Sequence, residues 1–93
     1  MPRISIEHRH GLSHEKAKSA ADRIAKDLEK RFHLAYAWEG EEVRFQRPGL
    51  SGTMLVGKTH VRLDVELSFL LAALKGPIEK EIHKKLENLF GEA

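Results

Sequence analysis

A strict alternation over residues 61–68 constrains the fold more than any other feature of the chain. Val61, Leu63, Val65 and Leu67 are separated by Arg62, Asp64, Glu66 and Ser68. Successive side chains of an extended strand point to opposite faces, so this segment reads as a strand with one apolar and one charged side. A strand of that kind belongs in an antiparallel sheet covered on its apolar side and wetted on the other.

The remaining segments supply the partners of such a sheet. Ile4, Ile6 and His8 alternate with Arg3, Ser5, Glu7 and Arg9. Leu34, Tyr36 and Trp38 share one strand face, and Val43 and Phe45 alternate with Arg44 and Gln46. Met54 and Val56 precede a turn at Gly57-Lys58. Glu39-Gly40-Glu41 reads as a hairpin connection and Pro48-Gly49 as a second break. Gly52 reads as a further turn or bulge position.

Two helices complete the set. Ser13 is placed as an N-cap after the break at Gly11, and Glu15 complements the positive helix end. Ala17, Ala20, Ala21, Ile24, Leu28 and Phe32 then recur at three and four residues, marking one apolar stripe. The stripe starts with alanines, so its first half can lie close to whatever it covers. Pro77 fits the first position of a closing helix, whose stripe is Ile78, Ile82, Leu86 and Leu89 and whose stop is Gly91. The predicted order is β-α-β-β-β-β-α in a single α+β domain over residues 1–93. Both helices cover one face of an antiparallel sheet of about five strands, a reduced helix-grip arrangement.

Charge and composition exclude several functions. Lys and Arg exceed Asp and Glu by only two, and the signs interleave along the first helix. A nucleic-acid interface gathers its basic residues without acids between them, so none is expected. The chain has no cysteine, which removes disulfides, thiolate nucleophiles and cysteine-based metal sites. The longest apolar run, Phe69 to Leu74, falls far short of the ~20 residues that span a bilayer. The opening residues are already strand-like, without a basic segment leading into an apolar one, so a cytoplasmic location is expected.

Three groups of residues were candidates for chemistry. His8, His10 and His14 bring three imidazoles near one another, but their spacing matches no ligand signature, and no metal or cofactor is expected. Arg62, Asp64 and Glu66 stand opposite Arg3, Glu7 and Arg9 on the polar sheet face, where solvated ion pairs explain them better than acid–base catalysis. Phe69, Leu70, Leu71 and Leu74 are the anomaly, because a short connection is normally polar. As a helical turn, Leu70 and Leu74 would share one face while Phe69 and Leu71 point elsewhere. The segment is a core plug, a homodimer contact or a surface for an apolar partner.

Several stretches resemble one family. They are Ile4 to Ile6, His10-Gly11-Leu12-Ser13-His14-Glu15-Lys16-Ala17, Tyr36 to Gly40, Gly49 to Gly52, and above all Val65 to Glu79 with its Ser68-Phe69-Leu70-Leu71-Ala72-Ala73-Leu74 core. Together they resemble the small bacterial polyhydroxyalkanoic acid system, or granule-region, proteins over essentially the whole chain. The resemblance implies association with polyhydroxyalkanoate storage granules or granule proteins, and it carries over no catalytic residues. A non-enzymatic accessory protein is therefore expected, acting at the granule surface or on another granule protein, with Phe69, Leu70, Leu71 and Leu74 as its contact patch. The alternative is a small-ligand binding or carrier domain for an acyl or hydroxyacyl group, with a pocket lined by Tyr36, Trp38, Phe45 and Met54.

Overall fold

The computed structural model describes residues 3–90. In chain order its elements are β1 (Arg3–Arg9), α1 (His14–Phe32), β2 (Ala35–Glu39), β3 (Glu42–Arg47), β4 (Leu50–Val56) and β5 (His60–Leu67). A 3-10 segment (Phe69–Leu74) and α2 (Lys75–Phe90) follow. The strands form one antiparallel sheet in the order β1-β5-β4-β3-β2. This is the α+β arrangement read from the sequence, with the strand order now resolved.

Local chemistry explains the connections. Gly40 and Glu41 join β2 to β3, and of the two only Gly40 has positive φ, at 61°. That is the sign pattern of a type II′ hairpin, which places glycine first. Pro48 and Gly49 join β3 to β4, with Gly49 at φ 85°. Proline followed by a left-handed glycine is the type II pattern. The β2–β3–β4–β5 run is thus a meander, while α1 carries the chain from β1 across to the far edge strand.

Helix α1 begins as its sequence predicts, with the Ser13 hydroxyl accepting from the Lys16 N–H at 3.2 Å. It ends at His33, which adopts a left-handed φ of 57°, and Arg47 Nη1 donates to the last-turn carbonyl of Phe32 at 2.7 Å. Ala17, Ala20, Ala21 and Ala25 are all buried where α1 lies against β4 and β2, and Ile24 and Leu28 fill the remaining space beneath the helix. Helix α2 packs beside α1 and on β1. The core between the layers holds Ile4, Ile24, Leu28, Met54, Leu63 and Ile82, each fully buried. Each contributes about 1.5–3 kcal/mol by its removal from water.

Two details of α2 differ from the sequence reading. The helix starts at Lys75, so Pro77 is its third residue. The Lys75 N–H donates to the Ala72 carbonyl, and the 3-10 segment therefore runs into α2 without a break. The four-residue spacing of Ile78, Ile82 and Leu86 also continues to Phe90, which is buried, while Leu89 is only half-buried. The predicted stop at Gly91 lies outside the described residues.

Candidate functional site

The apolar connection is built outward from the β3–β4 turn. The Ser68 N–H donates to the Gly49 carbonyl at 2.7 Å, and the Leu71 N–H donates to the Ser68 carbonyl at 3.0 Å. With three residues per turn, Leu71 and Leu74 fall on one side, where both are half-buried against the core. Phe69 and Leu70 face away and are 84% and 88% exposed. The expected pairing of Leu70 with Leu74 assumed α-helical spacing, and the tighter 3-10 turn replaces it with Leu71 and Leu74. Two adjacent large side chains held out in water are unusual on a domain this small.

Tyr36 and Trp38 lie half-buried on β2. Trp38 Nε1 donates to Asp22 Oδ1 at 2.9 Å, and the Lys18 ammonium sits 5.2 Å from the indole centre. The indole N–H, followed by the nearby Lys26 cation, holds the Asp22 carboxyl below its ordinary pKa despite partial burial. Burial and the Asp22 charge push the Tyr36 phenol above its ordinary value. Phe45 and Met54 are enclosed in the core, 2% and 0% exposed. The four residues do not share one hollow: Tyr36 and Phe45 border the open trough described below, and Trp38 and Met54 do not.

The other face of the sheet is polar, as its alternation requires. Register sets Arg3 opposite Glu66, Ser5 opposite Asp64 and Glu7 opposite Arg62. Asp64 Oδ1 accepts from the Ser5 hydroxyl at 2.8 Å, and Oδ2 accepts from Arg62 Nε at 3.1 Å. The Ser5 bond, with the charges of Arg62 and Arg3, holds Asp64 below its ordinary pKa. Arg44 pairs with Glu39 and Glu42. These are cross-strand and same-strand ion pairs on a wetted face, worth little individually.

Between these pairs runs an open trough of about 670 Å³, bordered by Arg3, Ala35, Ala37, Gln46, Ser51 and Thr53 among others. A second hollow of about 440 Å³ lies beside the β3–β4 turn and shares Gln46, Ser51 and Glu66 with the first. Sequence reading missed this feature. Residues 35, 46 and 66 lie apart in the chain and are brought together by the strand register, with Ser51 set beside Gln46 by the β3–β4 turn.

The histidines are separated by structural duties. His10 is buried, its Nδ1 accepting from the Leu12 N–H at 3.3 Å and its Nε2 bonded to the Gly57 carbonyl at 3.0 Å. Its ring centre lies 5.4 Å from that of Phe90, and His8 meets the same phenyl edge-on at 6.4 Å. His14 is the first residue of α1 and pairs with Glu41. Among the described residues no group of three His, Asp or Glu is placed to hold a metal ion. No helix among them is long and apolar enough to cross a membrane.

Comparison with known proteins places this arrangement. The NMR structure of PA4090 from Pseudomonas aeruginosa superposes with a TM-score of 0.64 at 11% identity, covering 100% of this chain and 88% of the other. At that identity the likeness shows a shared fold alone. No curated protein matches the sequence. The family model described as "Putative polyhydroxyalkanoic acid system protein" matches residues 4–90, which takes in both sheet faces and the 3-10 segment. The chain belongs to the polyhydroxyalkanoic acid system protein family.

Proposed function

We propose that the protein is a non-enzymatic accessory component of the polyhydroxyalkanoate storage system that adsorbs to the granule surface through Phe69 and Leu70. The observation that carries this reading is the exposure of those two side chains, 84% and 88%, on a segment anchored at both ends. Their backbone is held by the Ser68–Gly49 and Lys75–Ala72 hydrogen bonds, so contact need not order the chain that carries them. Each contributes about 1.5–3 kcal/mol when it leaves water, enough together for reversible adsorption to an apolar polymer. Leu71 and Leu74 support the segment from beneath and are not themselves the contact. On the polar face, Arg3 and Arg62 pair with Asp64, and Arg44 pairs with Glu39 and Glu42.

Co-sedimentation with protein-stripped polyhydroxyalkanoate granules tests the reading, with the mass in solution measured in parallel. The wild type should sediment with granules and Phe69→Ser/Leu70→Ser should remain in solution. A stable dimer that dissociates in the double variant, without granule binding by the wild type, would reassign the pair to self-association. Retention of granule binding by the double variant would refute the contact assignment.

A further inference from the structure

We propose that the protein forms a symmetric dimer in which the free edge of β2 pairs, antiparallel, with β2 of a second copy about a two-fold axis through Ala37. This surface is separate from the adsorption patch, and the inference does not depend on that reading.

The hydrogen-bond pattern leaves the edge open. The Val56 N–H donates to the Glu41 carbonyl at 3.0 Å, so residues 41, 43, 45 and 47 turn their backbone groups toward β4. Residues 42, 44 and 46 turn theirs toward β2, where register sets them opposite Glu39, Ala37 and Ala35. Tyr36 and Trp38, lying between, therefore point N–H and C=O away from the sheet. Among the described residues nothing bonds to these backbone groups.

Natural sheets blunt such edges with charge, proline or a bulge. The other edge strand, β1, carries Arg3, Glu7 and Arg9. From Ala35 to Trp38, β2 has no such device: its register with β3 is unbroken and its first charge is Glu39.

The occupant is a second copy because the strand is complementary to itself. Bonding Tyr36 of one copy to Trp38 of the other makes two equivalent pairs, each exchanging two backbone bonds. Ala37 then stands opposite Ala37 as the close pair without hydrogen bonds, with Cα atoms about 4.5 Å apart, where a small side chain fits. Tyr36 and Trp38 sit on the helix side, half-buried beside Phe45 and Val43. Their pairing across the seam sets aromatic against aromatic, a favourable cross-strand combination.

Charge agrees with the same axis. The two-fold brings both α1 helices to one side of the joined sheet, running antiparallel. Lys18 and Asp22 lie against Trp38, and the charges of Asp22, Lys26 and Glu29 act on the Tyr36 phenol. Along the β2 side of α1 the signs thus run plus, minus, plus, minus. Reversed, that order becomes its own complement, so Lys18 faces Glu29 and Asp22 faces Lys26 of the second copy. The run is centred beside Ala37, since Trp38 meets its Lys18 end and Tyr36 its Glu29 end. An unrelated strand would satisfy the backbone without matching this order. The seam leaves Phe69 and Leu70 uncovered, because they follow β5, three strands from β2.

Sedimentation equilibrium of the full chain tests the proposal, with amide exchange followed by NMR. The wild type should sediment as two chains, with the Tyr36 and Trp38 amides protected. Ala37 is exposed, so Ala37→Lys and Ala37→Glu leave the packing of each copy alone. Each sets like charges face to face and should weaken the dimer about tenfold or more, opening both amides to exchange. An equimolar mixture of the two variants should restore the dimer, because a seam centred on residue 37 then opposes Lys to Glu. A wild type that stays monomeric up to about 1 mM would leave the edge to a strand of another protein and overturn the proposal. So would a dimer that Ala37→Lys leaves intact, or a mixture no tighter than either variant alone. Self-association lost in Phe69→Ser/Leu70→Ser and kept in Ala37→Lys would likewise overturn it, assigning the contact to the apolar pair. Granule sedimentation by Ala37→Lys as by the wild type would support the separation of the two surfaces.

Discussion

The backbone N–H of Ser68 donates to the carbonyl oxygen of Gly49 across 2.7 Å. This single bond joins the tip of the β3–β4 hairpin to the first residue before the apolar 3-10 segment. It fixes where that segment leaves the sheet, and hence which of its side chains reach the core and which reach solvent. A Cβ built on Gly49 would lie 2.8 Å from Ser68 Oγ and 3.0 Å from Leu71 Cδ1. The turn and the segment are in contact with no room for a methyl group between them.

Gly49→Ala should therefore destabilise the protein by about 2–4 kcal/mol, adding overpacking to the left-handed backbone penalty. Gly40→Ala is the control. Its φ is 61°, but nothing lies within 4 Å of a new Cβ, so only the backbone penalty of about 1–2 kcal/mol applies. Urea unfolding of both variants measures the difference. Equal losses would mean that the contact at Gly49 relaxes freely.

Phe69 and Leu70 should be separable from Leu71 and Leu74 by stability alone. Phe69→Ser/Leu70→Ser changes exposed side chains and should alter the unfolding free energy by no more than about 0.5 kcal/mol. Leu71→Ser or Leu74→Ser exposes the packing beneath and should cost about 1–3 kcal/mol. A large loss in the first variant would show that the exposed pair is structural.

Acid should weaken the fold through Asp22 and Asp64. Both carboxyls are held below the ordinary value of 3.8, Asp22 first by the Trp38 N–H and Asp64 first by the Ser5 hydroxyl. A depressed folded-state pKa stabilises at pH above the unfolded value and is lost as pH falls through the folded one. Stability from these groups should be level from about pH 5 upward and decline below about pH 4. Trp38 is the sole tryptophan and reports the transition by fluorescence. Asp22→Asn keeps an oxygen acceptor for the indole but removes the charge, so its decline in acid should be shallower. An identical slope would place the acid sensitivity elsewhere.

His10→Ala should lose about 2–4 kcal/mol, because it removes two hydrogen bonds and opens space beneath Phe90. His14→Ala, at an exposed ion pair, should fall within about 1 kcal/mol of wild type. Thermal unfolding of the two variants distinguishes a packing histidine from a surface one. Comparable losses would contradict the assignment of His10 to the core.

Periodicity alone made much of this fold legible. The alternation of Val61, Leu63, Val65 and Leu67, all buried, and the stripe from Ala17 to Leu28 follow from strand and helix geometry, which is local. Ser13, Gly40 and Gly49 were readable for the same reason, since caps and turns depend on a few adjacent residues. The resemblance of Val65 to Glu79 to a family was likewise a property of the chain in order, and the family match over residues 4–90 bears it out. Tertiary structure decided what periodicity could not reach. Sheet register placed Gln46, Ser51 and Glu66 side by side, and register is a long-range choice made by burying one face of every strand at once. The bond from Ser68 to Gly49 and the tight 3-10 turn sent Phe69 and Leu70 outward and Leu71 inward, because backbone groups distant in sequence had to be satisfied together.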